Sequence, residues 1–152
     1  MPKVDLNGVG IYYEETGEGF PLVFAHELAG NTASWKAQVS YFSRRYRVIT
    51  YNARGYPPSD VPGKVEDYSQ EQVVEDLYLL LQHLNIKQAH VGGLSMGGNM
   101  TLFFGLRHPE VAKSLIVAGA GTGSSDSILF KQQSEGYAAK LEADGTAGLH
   151  VY

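Results

Sequence analysis

A chain of 152 residues is long enough for one domain, and 43% apolar with 18% charged residues is the composition of an ordinary globular protein. The net charge of -4 arises from 16 acidic and 12 basic residues spread along the chain, without the clustered Lys/Arg face that a phosphate backbone demands, so nucleic acid is not an expected partner. With no cysteine, disulfides, thiolate catalysis and Cys-ligated zinc are excluded, and no run approaches the roughly 18 apolar residues of a membrane span.

Lys3, Asp5, Glu14 and Glu15 interrupt the apolar core that a signal peptide would need, which makes the cytoplasm the expected location. Val4 to Leu6 and Ile11 to Glu14, joined by Asn7-Gly8, read as a β-hairpin because Asn-Gly supplies the positive φ angles of a tight turn. Pro21 to Ala25 is a short continuous apolar run, as in a strand buried on both faces. Thr32 to Phe42 places Trp35, Val39 and Phe42 on one helical stripe, and Tyr46 to Tyr51 returns to strand composition. A loop follows from Asn52 to Tyr68, broken by Gly55, Pro57, Pro58, Pro62 and Gly63. Ser69 and Gln72 have capping-box spacing at the head of a helix whose apolar face is Val73, Leu77, Leu80, Leu81 and Leu84. Gln88 to Gly92 is a strand, Ser95 to Arg107 a helix stopped by His108-Pro109, and Lys113 to Ala118 a further strand. After the glycine-rich stretch Gly119 to Ser125, a weaker helix runs from Ile128 to Ala143 with Phe130, Tyr137 and Leu141 at helical spacing.

Strands alternating with helices after a hairpin predict an α/β fold, a mostly parallel sheet covered on both faces. The last strand would leave an open sheet edge, through which self-association is the expected hazard.

Gly93-Leu94-Ser95-Met96-Gly97 carries the chemistry. It follows the apolar strand Ala89-His90-Val91 and opens a helix, the strand–turn–helix setting of a nucleophile elbow. So sharp a turn needs flanks nearly free of side chain, which Gly93 and Gly97 provide, and it lifts Ser95 above the carboxyl end of the sheet with a helix N-terminus beneath it. A serine ahead of a helix can also be no more than its N-cap, but that reading leaves the two glycines and the upstream strand without a purpose.

With these residues the chain resembles the α/β-hydrolase family from its first hairpin to the helix after Ser125. The resemblance rests on Phe24-Ala25-His26, the block Tyr51 to Asp60, the elbow, and Arg107-His108-Pro109-Glu110. It implies a mostly parallel sheet with a lid inserted after the sixth strand, hence residues 1–122 as the N-terminal part of the core and 123–152 as the start of the lid. It implies a Ser95 nucleophile and an oxyanion hole built from the backbone amides of Met96 and Leu28. His26 is implied to be structural. Glu27 stands where the family usually has glycine, and its carboxylate could reach the pocket mouth; Asn52 stands where aspartate is common. Arg54 is implied to organise its loop through carbonyls. Serine at the elbow sets the chain apart from members that use aspartate there, such as haloalkane dehalogenases and epoxide hydrolases.

Family order runs Ser, then Asp or Glu, then His. Asp126 falls in the lid, His108 lies about 18 Å along the helix from Ser95, and His150 has no strand to position it. The acid, the base and the last strands are therefore expected to be missing. The implied activity is hydrolysis of a small-molecule ester or similar acyl bond, with no cofactor and no metal; the 152 residues alone would be nearly inactive, as a fragment or as one chain completed by another. A hydrolase-derived module that binds a ligand without turning it over is the alternative. A plain dinucleotide-binding domain would need GxGxxG between Ala25 and Asn31, and the sequence has none there.

Overall fold

The computed structural model describes residues 3–121 and 125–145. In it β1 (Lys3–Leu6) and β2 (Val9–Thr16) form the expected hairpin, with Asn7 and Gly8 at φ 56° and 88° and the Gly8 amide donating to Asp5 Oδ1 at 2.9 Å. Both strands run further than the sequence pattern indicated. β3 (Phe20–Ala25), β4 (Tyr46–Tyr51), β5 (Ala89–Leu94) and β6 (Ala112–Ala118) complete one sheet in the order β1-β2-β4-β3-β5-β6. The hairpin joins antiparallel through β2 and β4, with Tyr13 opposite Tyr51, while β4, β3, β5 and β6 run parallel.

Alternation along the central strands divides the core. Leu22, Phe24 and Val48 face one side, where Trp35, Val39 and Phe42 cover them; the Phe24 and Trp35 rings stack at 4.6 Å. The single helix expected over Thr32 to Phe42 is in fact a 3-10 turn, Thr32–Trp35, followed by α1 (Lys36–Phe42). Asn31 tightens that first turn: its side chain accepts from the Ala33 amide at 2.8 Å, and its own amide donates to Ser34 Oγ.

Val23, Ala25, Ile49 and Val91 face the other side, against α2 (Gln70–His83) and α3 (Met96–Arg107). Val74, Leu77, Leu80 and Leu81 of α2 are buried there, each contributing about 1.5–3 kcal/mol. Val74 rather than the expected Val73 is the first fully buried residue of this stripe. The capping box is only half closed: Ser69 Oγ accepts from the Gln72 amide at 3.2 Å, but the Gln72 side chain donates to the Glu66 carbonyl instead.

The chain divides into two compact units between Ala120 and Gly121. The second contains α4 (Ser127–Asp144), capped by Asp126 Oδ1, which accepts from the Leu129 amide at 2.9 Å. The expected 122/123 boundary lies outside the described residues. Among those described, no helix is long and apolar enough to cross a membrane.

Candidate active site

β5 runs two residues deeper into the elbow than the expected Gln88 to Gly92, pairing Gly93 with Ala25 of β3 and Leu94 with Ala118 of β6. The backbone then reverses at Ser95, with φ 53° and ψ -113°, and enters α3 at Met96. A non-glycine residue in that region costs about 1–3 kcal/mol and persists only where neighbours hold it. Here the Ser95 amide donates to the Ala118 carbonyl at 2.9 Å, and the Ser95 carbonyl accepts from Asn99 at 3.0 Å. A β-carbon on Gly93 would overlap the Gly97 carbonyl, and one on Gly97 would overlap the Ala25 carbonyl. Gly98, which sequence reading passed over, is confined less tightly, a β-carbon there meeting the Ala118 carbonyl at 2.9 Å. Ser95 does stand at the N-cap position, but its hydroxyl makes no capping bond and the residue is exposed.

The loop after β3 is held by its own histidine. His26 is buried; its Nδ1–H donates to the Glu27 carbonyl at 2.8 Å, and its Nε2 accepts from the Ala53 amide at 3.1 Å. With both nitrogens committed, the ring is neutral, and burial draws its pKa below the ordinary histidine value against the opposing pull of the Glu27 carbonyl. The Gly30 amide closes a turn on the same carbonyl, Ala29 sits at φ 61°, and Leu28 between them is 66% exposed. The Glu27 carboxylate is directed to the turn ahead of α1, where Oε1 accepts from Ser34 Oγ at 2.9 Å; its Oε2 is buried without a hydrogen-bond partner among the described residues.

The loop after β4 braces this region. Asn52 is buried, accepts from the Thr32 amide at 2.9 Å and donates to the Pro57 carbonyl at 2.7 Å, a pair of roles that an ionised aspartate could not fill. Arg54 donates to the Asp67 carbonyl, as its expected role required, and grips Asp76 of α2 through two bonds of 2.7 Å. The Asp76 hydrogen bond is the main reason the Arg54 pKa is raised. Sequence reading missed Asp76; the available signal was a carboxylate one position ahead of Leu77 on the apolar side of α2. The Tyr56 ring meets His26 edge-on at 4.6 Å between centroids, and its hydroxyl lies 3.5 Å from Met96 Sδ. A cavity of about 500 Å³ opens beside them, lined by Arg54, Tyr56, Tyr68, Gln70, Val73 and Met96.

The other candidates lie elsewhere. His108 stacks flat on Tyr78 at 4.1 Å with Glu75 3.7 Å away, Asp126 caps α4, and His150 lies outside the described residues. Among the described residues no group of three or more His, Asp or Glu could hold a metal ion.

A family model described as alpha/beta hydrolase fold matches residues 21–146. A 3-oxoadipate enol-lactonase of Acinetobacter baylyi is 38% identical over 114 residues, covering 75% of this chain and 42% of the relative. An epoxide hydrolase of Xenopus tropicalis is 32% identical over 116 residues, covering 75% of this chain and 32% of the relative. The crystal structure of the enol-lactonase from Burkholderia xenovorans superposes with a TM-score of 0.84 at 26% identity, covering 97% of this chain and 56% of that one. This chain thus spans less than half the length of these curated relatives.

Proposed function

The chain belongs to the α/β-hydrolase fold family, and from that premise we propose that it carries the nucleophile half of a serine hydrolase acting on a small ester or lactone through an acyl-enzyme at Ser95. Ser95 Oγ attacks the carbonyl carbon as its proton passes to an external base, and the Met96 and Leu28 amides take up the charge on the carbonyl oxygen. The C–O bond to the alcohol breaks as that oxygen takes the proton, staying tethered to the acyl group in a lactone, and water then releases the acid and restores the serine. As the first residue of α3, Met96 has an amide without a partner in its own helix, at the end where the helix dipole favours negative charge. The observation that carries the reading is the strained turn at Ser95, held by glycines that admit no side chain while its hydroxyl is left uncapped.

The relatives include lactonases and epoxide hydrolases. Serine at the elbow favours the lactonase side, since serine opening an epoxide would be left as an ether that water cannot cleave, whereas serine opening a lactone becomes an acyl ester that water releases. The cavity beside Met96 is the proposed seat of the uncharged part of the substrate, because the one cation in its lining, Arg54, is neutralised by Asp76. His26 and His108 are both engaged away from the serine, which favours a second reading, a binding module without turnover. In either case the 152-residue polypeptide is expected to turn over poorly, since loss of the base of a serine triad costs on the order of a million-fold.

A fluorophosphonate in the presence of imidazole separates the two, imidazole standing in for the base. The expected result is a single phosphonyl adduct on Ser95, forming faster as imidazole is raised and absent in Ser95→Ala. Adducts scattered over several serines, or none, would sink the acyl-enzyme reading.

A further inference from the structure

We infer that Tyr56 is a positioning residue for the oxyanion hole, tying the loop that carries the Leu28 amide to the helix turn that carries Met96; this rests on the Ser95 reading above. The two amides come from separate segments, Leu28 from the loop after β3 and Met96 from the first turn of α3. For both to meet one oxygen atom, their spacing must be set within a few tenths of an ångström, and a displacement of about 1 Å can cost a hundredfold in rate.

Two contacts place Tyr56 across that gap. Its ring packs edge-on against His26, the residue that anchors the start of the Leu28 loop, and its hydroxyl points to Met96 Sδ. Burial raises the Tyr56 pKa above its ordinary value, against a smaller opposing pull from the nearby Ala29 backbone, so the hydroxyl stays protonated at neutral pH and can donate to the sulfur. Tyr56 is itself fixed from behind. Its segment is anchored by Arg54 on Asp76 and by Asn52 on the Pro57 carbonyl.

The ring meets the loop side at His26 and the hydroxyl meets the helix side at Met96. Tyr56→Phe keeps the ring on His26 and removes only the tie. In the imidazole-supported fluorophosphonate assay, Tyr56→Phe is expected to label Ser95 about tenfold more slowly, with the same dependence on imidazole and the same melting temperature. A purely structural role would lower the melting temperature and leave the rate of the folded fraction alone; a Tyr56→Phe rate equal to that of the unaltered chain overturns the inference. Should the variant fail to fold, Met96→Leu decides, since it removes the sulfur and keeps the bulk and the backbone amide: slower labelling of Ser95 supports the tie, and an unchanged rate refutes it. If the unaltered chain does not label at all, the nucleophile reading itself has failed and the inference falls with it, an outcome distinct from an unaltered chain that labels and a Tyr56→Phe variant that labels equally fast.

Discussion

Ser95 shows how one residue's backbone can carry a function while its neighbours bear the cost. The unfavourable φ is maintained by two backbone hydrogen bonds and by the closeness of Gly93 and Gly97 to facing carbonyls, so the strain is shared among β3, β5, β6 and α3. Gly97→Ala tests this sharing. Its β-carbon has only backbone to meet, with no flexible side chain to yield, and the expected loss is about 1–3 kcal/mol in urea unfolding. The loss of Ser95 labelling should exceed what the unfolded fraction explains, because the elbow must open to admit the methyl group. An unchanged unfolding midpoint would mean that the turn is far looser than these contacts indicate.

At the level of elements, the Arg54–Asp76 pair joins the loop after β4 to α2 across a water-poor space, with side chains 9% and 3% exposed. Such a pair adds little over apolar packing when whole, but losing one partner strands a buried charge. Asp76→Ala is therefore expected to destabilise the chain by about 3–5 kcal/mol, read from the shift of a chemical melt, whereas Lys3→Ala, which opens the exposed pair with Asp60, should barely move it. Equal effects of the two would contradict a buried anchor. The apolar face of α2 could be read from its period, since Leu77, Leu80 and Leu81 recur at helical steps. Asp76 could not, because a charge within an apolar stripe acquires meaning only when its partner, 22 positions away, is known to fold against it.

At the scale of the whole molecule, the feature with most consequence is β6. It pairs with β5 on one side only among the described residues, and Leu115, Ile116 and Val117, which alternate between the two faces of the sheet, are 38%, 50% and 43% exposed. On α3 the neighbouring Leu102, Phe103 and Leu106 are exposed as well. An edge strand apolar on both faces is an invitation to pairing. The 152-residue polypeptide is accordingly expected to self-associate in sedimentation at micromolar concentration, and Val117→Lys to shift it toward monomer; a monodisperse, unaltered chain would refute the edge as the contact.

What the sequence determined by itself is whatever depends on near neighbours. The Asn-Gly hairpin, the helical stripe of α2, the stop before Pro109 and the strand–glycine–serine–glycine pattern of the elbow are all local, because turn geometry and hydrophobic period act within a few residues. The tertiary structure alone decided the strand order, the fate of both His26 nitrogens, the union of Arg54 with Asp76, and the meeting of Tyr56 with Met96 across 40 positions. Those contacts depend on which segments the sheet brings side by side, and a parallel sheet sets that through crossovers whose order leaves no mark on the period of any one strand.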